Sequence, residues 1–233
     1  MPSFDIIKES NPTETYRVSS VLNMFDLDIS KIKEHFEGNI DIEGKDWNVG
    51  LIVGGSGTGK STIAKEVFGE NYFTENIYES ETVIDDMPKE KSVKEITKTF
   101  TSVGFASPPS WLKPYSVLSN GEKMRVDLAN CILQEKDTIA FDEFTSVVNR
   151  EVAKTGSYAI SKAVKKLNKK FIAVACHSDI IEWLEPDWIY NTDEKRFFFA
   201  QKNTKDQLSN FKSSGLGIRI KNEFGIYSKS III

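Results

Sequence analysis

Apolar residues along this chain fall into short blocks separated by charged stretches, and the blocks follow two different periods. Near-continuous apolar runs at Val49–Val53 (VGLIV), Asp137–Phe141 (DTIAF) and Lys170–Ala175 (KFIAVA) predict strands buried on both faces. Glu81–Met87 (ETVIDDM) reads as a strand ending in two carboxylates, and Trp188–Tyr190 and Arg196–Ala200 as two more strands. Helical spacing appears in Ser92–Val103, where Val93, Ile96, Phe100 and Val103 share a face and Ser92 stands three residues before Glu95 as a capping box. Further helices are predicted over Ile63–Phe68, Glu122–Gln134, Asn149–Leu167 and Asp179–Leu184. Toward the N-terminus, Met1–Asn11 reads as a loosely tied start. Thr13–Phe25, rich in β-branched and aromatic residues, is predicted as a strand. Ile29, Ile32 and Phe36 suggest a short helix over Asp28–Phe36, and Gly38–Ile42 another strand before a turn at Gly44 and Asp46. Gly69–Glu79 has no clear period. Three prolines make Ser107–Tyr115 a loop. The last segment, Gln201–Ile233, ends in apolar SIII and is expected to dock on the body of the domain. Strands alternating with helices predict an α/β fold with a mostly parallel sheet flanked by helices, and a ligand at the carboxyl ends of the strands.

The strand Val49–Val53 runs directly into Gly54-Gly55-Ser56-Gly57-Thr58-Gly59-Lys60-Ser61-Thr62. From Gly54 to Ser61 this fits G-x-x-x-x-G-K-[ST], with a strand before it and helix formers after it, as a P-loop NTPase requires. Glycines let the backbone bring its N–H groups close to an anion, and the following helix turns its unpaired N–H groups and positive dipole end to the same place. Lys60 is placed to reach the β- and γ-phosphates, and the Ser61 hydroxyl to help hold Mg²⁺, which prefers hard oxygen ligands.

Composition narrows the class. With 233 residues, 39% hydrophobic and 27% charged, the chain can bury one substantial core. A formal net charge of −4 gives no broadly basic surface for nucleic acid. No apolar run approaches the roughly 20 residues a membrane span needs, and the N-terminus has no signal-peptide pattern, so a cytoplasmic protein is expected. Cys131 and Cys176 lack C-x-x-C partners, which argues against zinc and for reduced thiols.

Two further candidates follow apolar strands. Asp142 and Glu143 close the run Thr138–Phe141, which suits Asp142 to the Mg²⁺ and Glu143 to an attacking water. His177 follows Phe171–Ala175 and is a candidate contact for a γ-phosphate. His35, in a charged stretch, is assigned no role.

Leu118-Ser119-Asn120-Gly121-Glu122, after the phosphate loop and before Asp142-Glu143, resembles the signature of the ATP-binding-cassette (ABC) ATPase superfamily. Lys123–Ala129 looks like the helix that follows that signature, Asp142-Glu143-Phe144-Thr145-Ser146 like its acidic strand and the start of its D-loop, and His177 falls where the family places its switch histidine. The resemblance spans about 39–190. It implies a single ABC-type domain over 1–233 whose region 92–134 forms a reduced helical subdomain. It also implies ATP hydrolysis with Mg²⁺: Gly54–Thr62 binding phosphate, Ser61 and Asp142 supporting the metal, Glu143 as base, Lys60 and His177 on the γ-phosphate. Ser119 and Gly121 would then meet the ATP of a second copy, in a two-fold head-to-tail homodimer.

Departures from the pattern are visible too. There is no glutamine between Ser61 and Leu133, so the family's metal-linking glutamine is missing; Asp85 or Asp86 could stand in. Asn149 takes the place of the D-loop aspartate and Phe144 that of a proline. Among aromatics upstream of the loop, Phe36, Phe25 and Trp47 could stack on adenine, with core packing the ordinary role. One predicted helix and a proline loop between the phosphate loop and the signature leave little for a membrane partner to dock on. A soluble ABC ATPase acting on an unidentified protein is therefore expected, with a nucleic-acid partner as the alternative and a transporter subunit as the lesser one. GFASPPSWLKPYSVLSNGE and ACHSDIIEWLEPDW are also similar to segments of compact ABC ATPases of phages and mobile elements. Lys162, Lys165, Lys166, Lys169 and Lys170 cluster around one helix and read as a solvated face rather than a phosphate-binding one.

Overall fold

The computed structural model describes residues 3–9, 12–27, 33–73 and 76–199. Strands β1 (Ser3–Glu9), β2 (Lys33–Asn39), β3 (Val49–Val53), β4 (Tyr72–Phe73), β5 (Thr138–Phe141), β6 (Lys170–Ala175), β7 (Trp188–Asn191) and β8 (Arg196–Phe199) are joined by helices α1 (Tyr16–Phe25), α2 (Lys60–Phe68), α3 (Val93–Ser102), α4 (Pro108–Trp111), α5 (Asn120–Leu133), α6 (Arg150–Leu167) and α7 (Ile180–Leu184).

The main sheet has the order β4-β5-β6-β3-β7-β8, parallel throughout except for the β7–β8 hairpin. Residues 49–53 of β3 and 171–175 of β6 are all buried because both faces of the sheet are covered. Val49, Leu51, Val53, Phe171, Ala173 and Ala175 turn to one core with α3, α5, α6 and α7. Their strand neighbours Ile52, Ile172 and Val174 turn to the other, where Ile63, Ala64 and Phe68 of α2 meet Trp188 and Tyr190. Gly50 lies in this second layer, where a Cβ would stand 2.1 Å from the Trp188 indole. Glycine is what lets the tryptophan lie flat against the central strand.

A separate antiparallel ribbon, β1–β2, sits beside α2 in the register Phe4↔Gly38 and Ile6↔Phe36. Phe4 is buried edge-on against Tyr190, and a Cβ on Gly38 would collide with both rings. His35 pairs with Asp5 across this ribbon at 2.6 Å.

The N-terminal third departs most from expectation. Ser3–Glu9 is paired strand rather than a loose start, because Phe4 anchors it. Thr13–Phe25 contains a helix, not a strand: Val18, Val21, Leu22 and Phe25 hold an i, i+3, i+4, i+7 spacing, and Thr15 caps the Val18 N–H. The expected helix over Asp28–Phe36 is strand from Lys33 onward, residues 28–32 lying outside those described, and pairing ends at Asn39 rather than Ile42. Glu81–Met87 forms successive turns. Its apolar residues Val83 and Met87 are buried because the segment docks on the loop after α4, with Val83 N–H donating to Lys113 O at 2.9 Å. Within the expected proline loop, Pro108 and Pro109 occupy the first turn of the short helix α4, where missing N–H groups cost nothing. The expected docking of Gln201–Ile233 lies outside the described residues.

One half-buried carboxylate ties the segment after β4 to the helical region. Asp127 on α5 accepts from Tyr78 Oη at 2.7 Å and Tyr115 Oη at 2.9 Å, and the two rings stack with centroids 4.1 Å apart. Burial first, then the Asp127 charge, pushes the Tyr78 phenol far above its ordinary range, so it remains a donor. Asp127→Ala leaves two phenols without their acceptor. It should lower unfolding free energy by about 1–3 kcal/mol in a urea titration, and Tyr115→Phe by less.

Candidate active site: a phosphate cradle at the carboxyl edge of the sheet

Parallel register brings the candidate groups to one edge. Val53 pairs with Ala175 and Phe141 with Ala173, so Gly54, Asp142 and His177 all leave the carboxyl ends of β3, β5 and β6. The phosphate loop turns from β3 into α2 through Gly57 (φ 80°) and Gly59 (φ 83°), left-handed conformations that glycine adopts without steric cost. A Cβ on Gly59 would also stand 2.3 Å from the Phe36 ring, so β2 buttresses the loop from below. That contact places Phe36 against loop backbone.

Lys60 is 7% exposed, and its Nζ donates to Gly55 O at 2.5 Å, drawing the loop around the ammonium. Thr58 Oγ1 bonds Gly55 O at 2.9 Å and Thr192 Oγ1 at 2.6 Å, and Asp193 accepts from the Gly55 N–H at 3.0 Å. The turn after β7 therefore clamps the outer wall of the loop. Thr192 and Asp193 were not legible as site residues, since a turn after an apolar strand carries no motif.

Helix α2 has no acidic residue in its first turn and no side-chain cap, leaving its positive end open to an anion. Among the described residues no cluster of three or more His, Cys, Asp or Glu could hold a metal alone. Ser61 and Asp142 offer hard oxygens of the kind Mg²⁺ takes. The hydroxyl of Tyr72 on β4 donates to Asp142 Oδ2. Burial, then the Asp142 hydrogen bond and charge, pushes its phenol up, while the neighbouring Ser61 hydroxyl acts the other way. Sequence pattern gave no hint of Tyr72, which lies in the stretch without a period.

Beyond β5 the chain turns sharply. Glu143 (φ 51°) and Thr145 (φ 68°) are both left-handed, a costly conformation for a β-branched residue. Phe144 is fully buried between Phe141 and Phe171, and its N–H donates to Val174 O at 2.9 Å. Phenylalanine in place of proline thus nails the turn into the core and leaves Glu143 exposed. Asn149 caps α6, accepting from Val152 N–H at 2.9 Å. Arg150 holds Asp179 just beyond His177, which ties the start of α6 to the histidine loop. His177 itself is exposed.

Ser119 and Gly121 lie away from this edge, at the start of α5. Ser119 is exposed and closes the capping box: its Oγ accepts from Glu122 N–H at 3.4 Å and donates to Glu122 Oε2 at 2.8 Å. Gly121 faces Val152 of α6 with a would-be Cβ contact of 3.1 Å. The signature turn is therefore a surface feature, open to a second molecule. Asp85 and Asp86 serve local turns instead, Asp86 accepting from Glu79 and Ser80 N–H groups. Of the lysine cluster, Lys169 is consumed by the carbonyls of Ile132, Gln134 and Lys136, and Lys170 lies over the Trp47 ring.

Against solved structures, the dimeric bacterial ABC transporter cassette MJ0796 superposes with a TM-score of 0.57 over 73% of this chain and 94% of that one, at 14% identity. The fold is that of an ATP-binding cassette. The same cassette in a post-hydrolysis dimer bound to ADP and Pi gives 0.57 at 12% identity over 76% and 96%. CbiO1 from Clostridium perfringens, part of the ABC transporter complex cbiONQ, gives 0.55 at 20% identity over 83% and 92%. By sequence, the ribosome protection protein VmlR of Bacillus subtilis is 26% identical over 115 residues, 41% of this chain and 21% of VmlR. This cassette thus aligns with about a fifth of that relative's length. No protein-family model matches the chain. No helix among the described residues is long and apolar enough to cross a membrane.

The Glu122 carboxyl sits below its ordinary value of 4.5, held there first by the Ser119 N–H, then by the Ser119 and Ser110 hydroxyls. A depressed folded value stabilises the fold above the unfolded value and is lost as pH falls through the folded one. Glu122→Gln should therefore lower the melting temperature at neutral pH, and the gap should narrow as pH falls below 4.5.

Proposed function

We propose that this chain binds ATP with Mg²⁺ and hydrolyses it to ADP and phosphate as a head-to-tail homodimer in the cytoplasm. The observation that carries this reading is the single sheet edge where buried Lys60, the open N-terminus of α2, Asp142 and exposed Glu143 meet. Backbone N–H groups of Gly54–Thr62 cradle the phosphates, and Lys60 turns from Gly55 O to the β- and γ-oxygens. Ser61 and Asp142 hold Mg²⁺, which when bound neutralises charge on the β- and γ-phosphates. Glu143 takes a proton from water as its oxygen attacks the γ-phosphorus and the bond to the β-phosphate oxygen breaks. His177, two residues beyond β6, contacts the γ-phosphate.

Ser119 and Gly121 of one protomer close over the ATP held by its partner. Each site is shared, the interface is isologous, and ATP is part of it. Hydrolysis then separates the pair and drives a change in an unidentified soluble partner, with a membrane partner not favoured. The similarity to a ribosome protection protein gives specific support to a second reading, in which the partner is nucleic acid or ribonucleoprotein. Exposed Lys162, Lys165 and Lys166 are available for that contact, whereas Lys169 and Lys170 are engaged within the fold.

Purified full-length protein should turn over ATP, and Glu143→Gln should lower kcat by about 10²–10⁴-fold while retaining nucleotide. Light scattering of that variant with ATP should show twice the 26.3 kDa protomer mass. A monomer under those conditions overturns the shared site, and undiminished turnover overturns the assignment of the base. Salt-sensitive stimulation by RNA or ribosomes favours the second reading.

A further inference from the structure

The metal side of this site contains one group that the phosphate-loop reading does not use. Tyr72 pairs with Ala140 across the parallel β4–β5 ladder, two residues before Asp142, which follows β5. The phenol donates to Asp142 Oδ2, while Asp142 Oδ1 accepts from the Glu143 N–H at 2.8 Å. The Lys65 ammonium lies 5.2 Å over the phenol ring and fixes it against α2. No glutamine occurs between Ser61 and Leu133, so no glutamine side chain from that interval can share the metal side of the site.

Proton bookkeeping fixes how these groups point. An ionised carboxylate only accepts, so the phenol hydrogen goes to Asp142. Asp142, with one oxygen anchored by the phenol and the other by backbone, presents its remaining lone pairs from a fixed orientation.

We infer that Tyr72 is a positioning residue for the divalent cation: its phenol holds Asp142 in the orientation from which that carboxylate would meet Mg²⁺. This rests on the nucleotide reading above and adds to it a residue that touches neither phosphate nor water.

The test is equilibrium binding of a fluorescent ATP analogue to full-length protein across a Mg²⁺ titration, with turnover measured separately. In Tyr72→Phe, which keeps the ring under Lys65, half-saturating Mg²⁺ should rise about five- to tenfold. Analogue affinity in EDTA should stay within about twofold of wild type, because the phosphate cradle is untouched. Asp142→Asn should raise the Mg²⁺ requirement as well, and Asp142→Asn/Tyr72→Phe should be no worse than Asp142→Asn alone, since Tyr72 acts through that carboxylate. A role confined to packing predicts additive losses and an equal loss in EDTA. An unchanged or lowered Mg²⁺ half-point in Tyr72→Phe overturns the inference while leaving ATP binding standing. Folded wild-type protein that binds no analogue with Mg²⁺ overturns the nucleotide reading and the inference with it.

Discussion

Everything at this site depends on holding the unpaired N–H groups of one short helix at a fixed place on the sheet edge. Helix α2 has nine residues, so its propensity alone would not keep it folded or aimed. Three contacts do that work. Ile63, Ala64 and Phe68 bury one face of α2 against the sheet, Phe36 presses on the loop at Gly59, and the Thr192–Asp193 turn grips Thr58 and Gly55. Close approach demands glycine at Gly59, against Phe36, and at Gly50, against Trp188. The phosphate loop is thus preorganised by packing, and binding an anion need not fund its ordering.

On the opposite side of β6 the device is strain rather than packing. Left-handed Glu143 and Thr145 persist because buried Phe144 is locked between them by two aromatic neighbours and a backbone hydrogen bond. The acidic side chain is thereby presented to solvent at the edge while its neighbour fills the core. Arg150 and Asp179 join this turn's helix to the loop bearing His177. In the helical region, Asp127 joins the segment after β4 to the helix that begins at Ser119.

Legibility in the sequence followed burial. Strands β3, β5 and β6 are apolar on both faces and were predicted within a residue or two; so was α3, whose capping box is formed by Ser92 and Glu95. The phosphate loop was legible because backbone geometry admits so few residue types there. Elements on the periphery misled. Helix α1 buries no residue completely, so its β-branched and aromatic content spoke louder than its 3.6-residue spacing. Val83 and Met87 looked like strand because apolar residues in a docked turn carry no period. Tyr72, Thr192 and Asp193 were missed for a related reason: their roles arise from strand pairing between segments far apart in sequence, and no local pattern encodes that.

The central claim is that the edge recognises a polyphosphate, with the nucleoside a lesser determinant. Isothermal titration of the full chain with ATP, ADP, AMP and adenosine in the presence of Mg²⁺ tests it most directly. ATP and ADP should bind, with AMP and adenosine weaker by about 100-fold or more, the loss of two or more charge-assisted contacts at about 1.5–3 kcal/mol each. Equal affinity for adenosine and ATP would contradict the account.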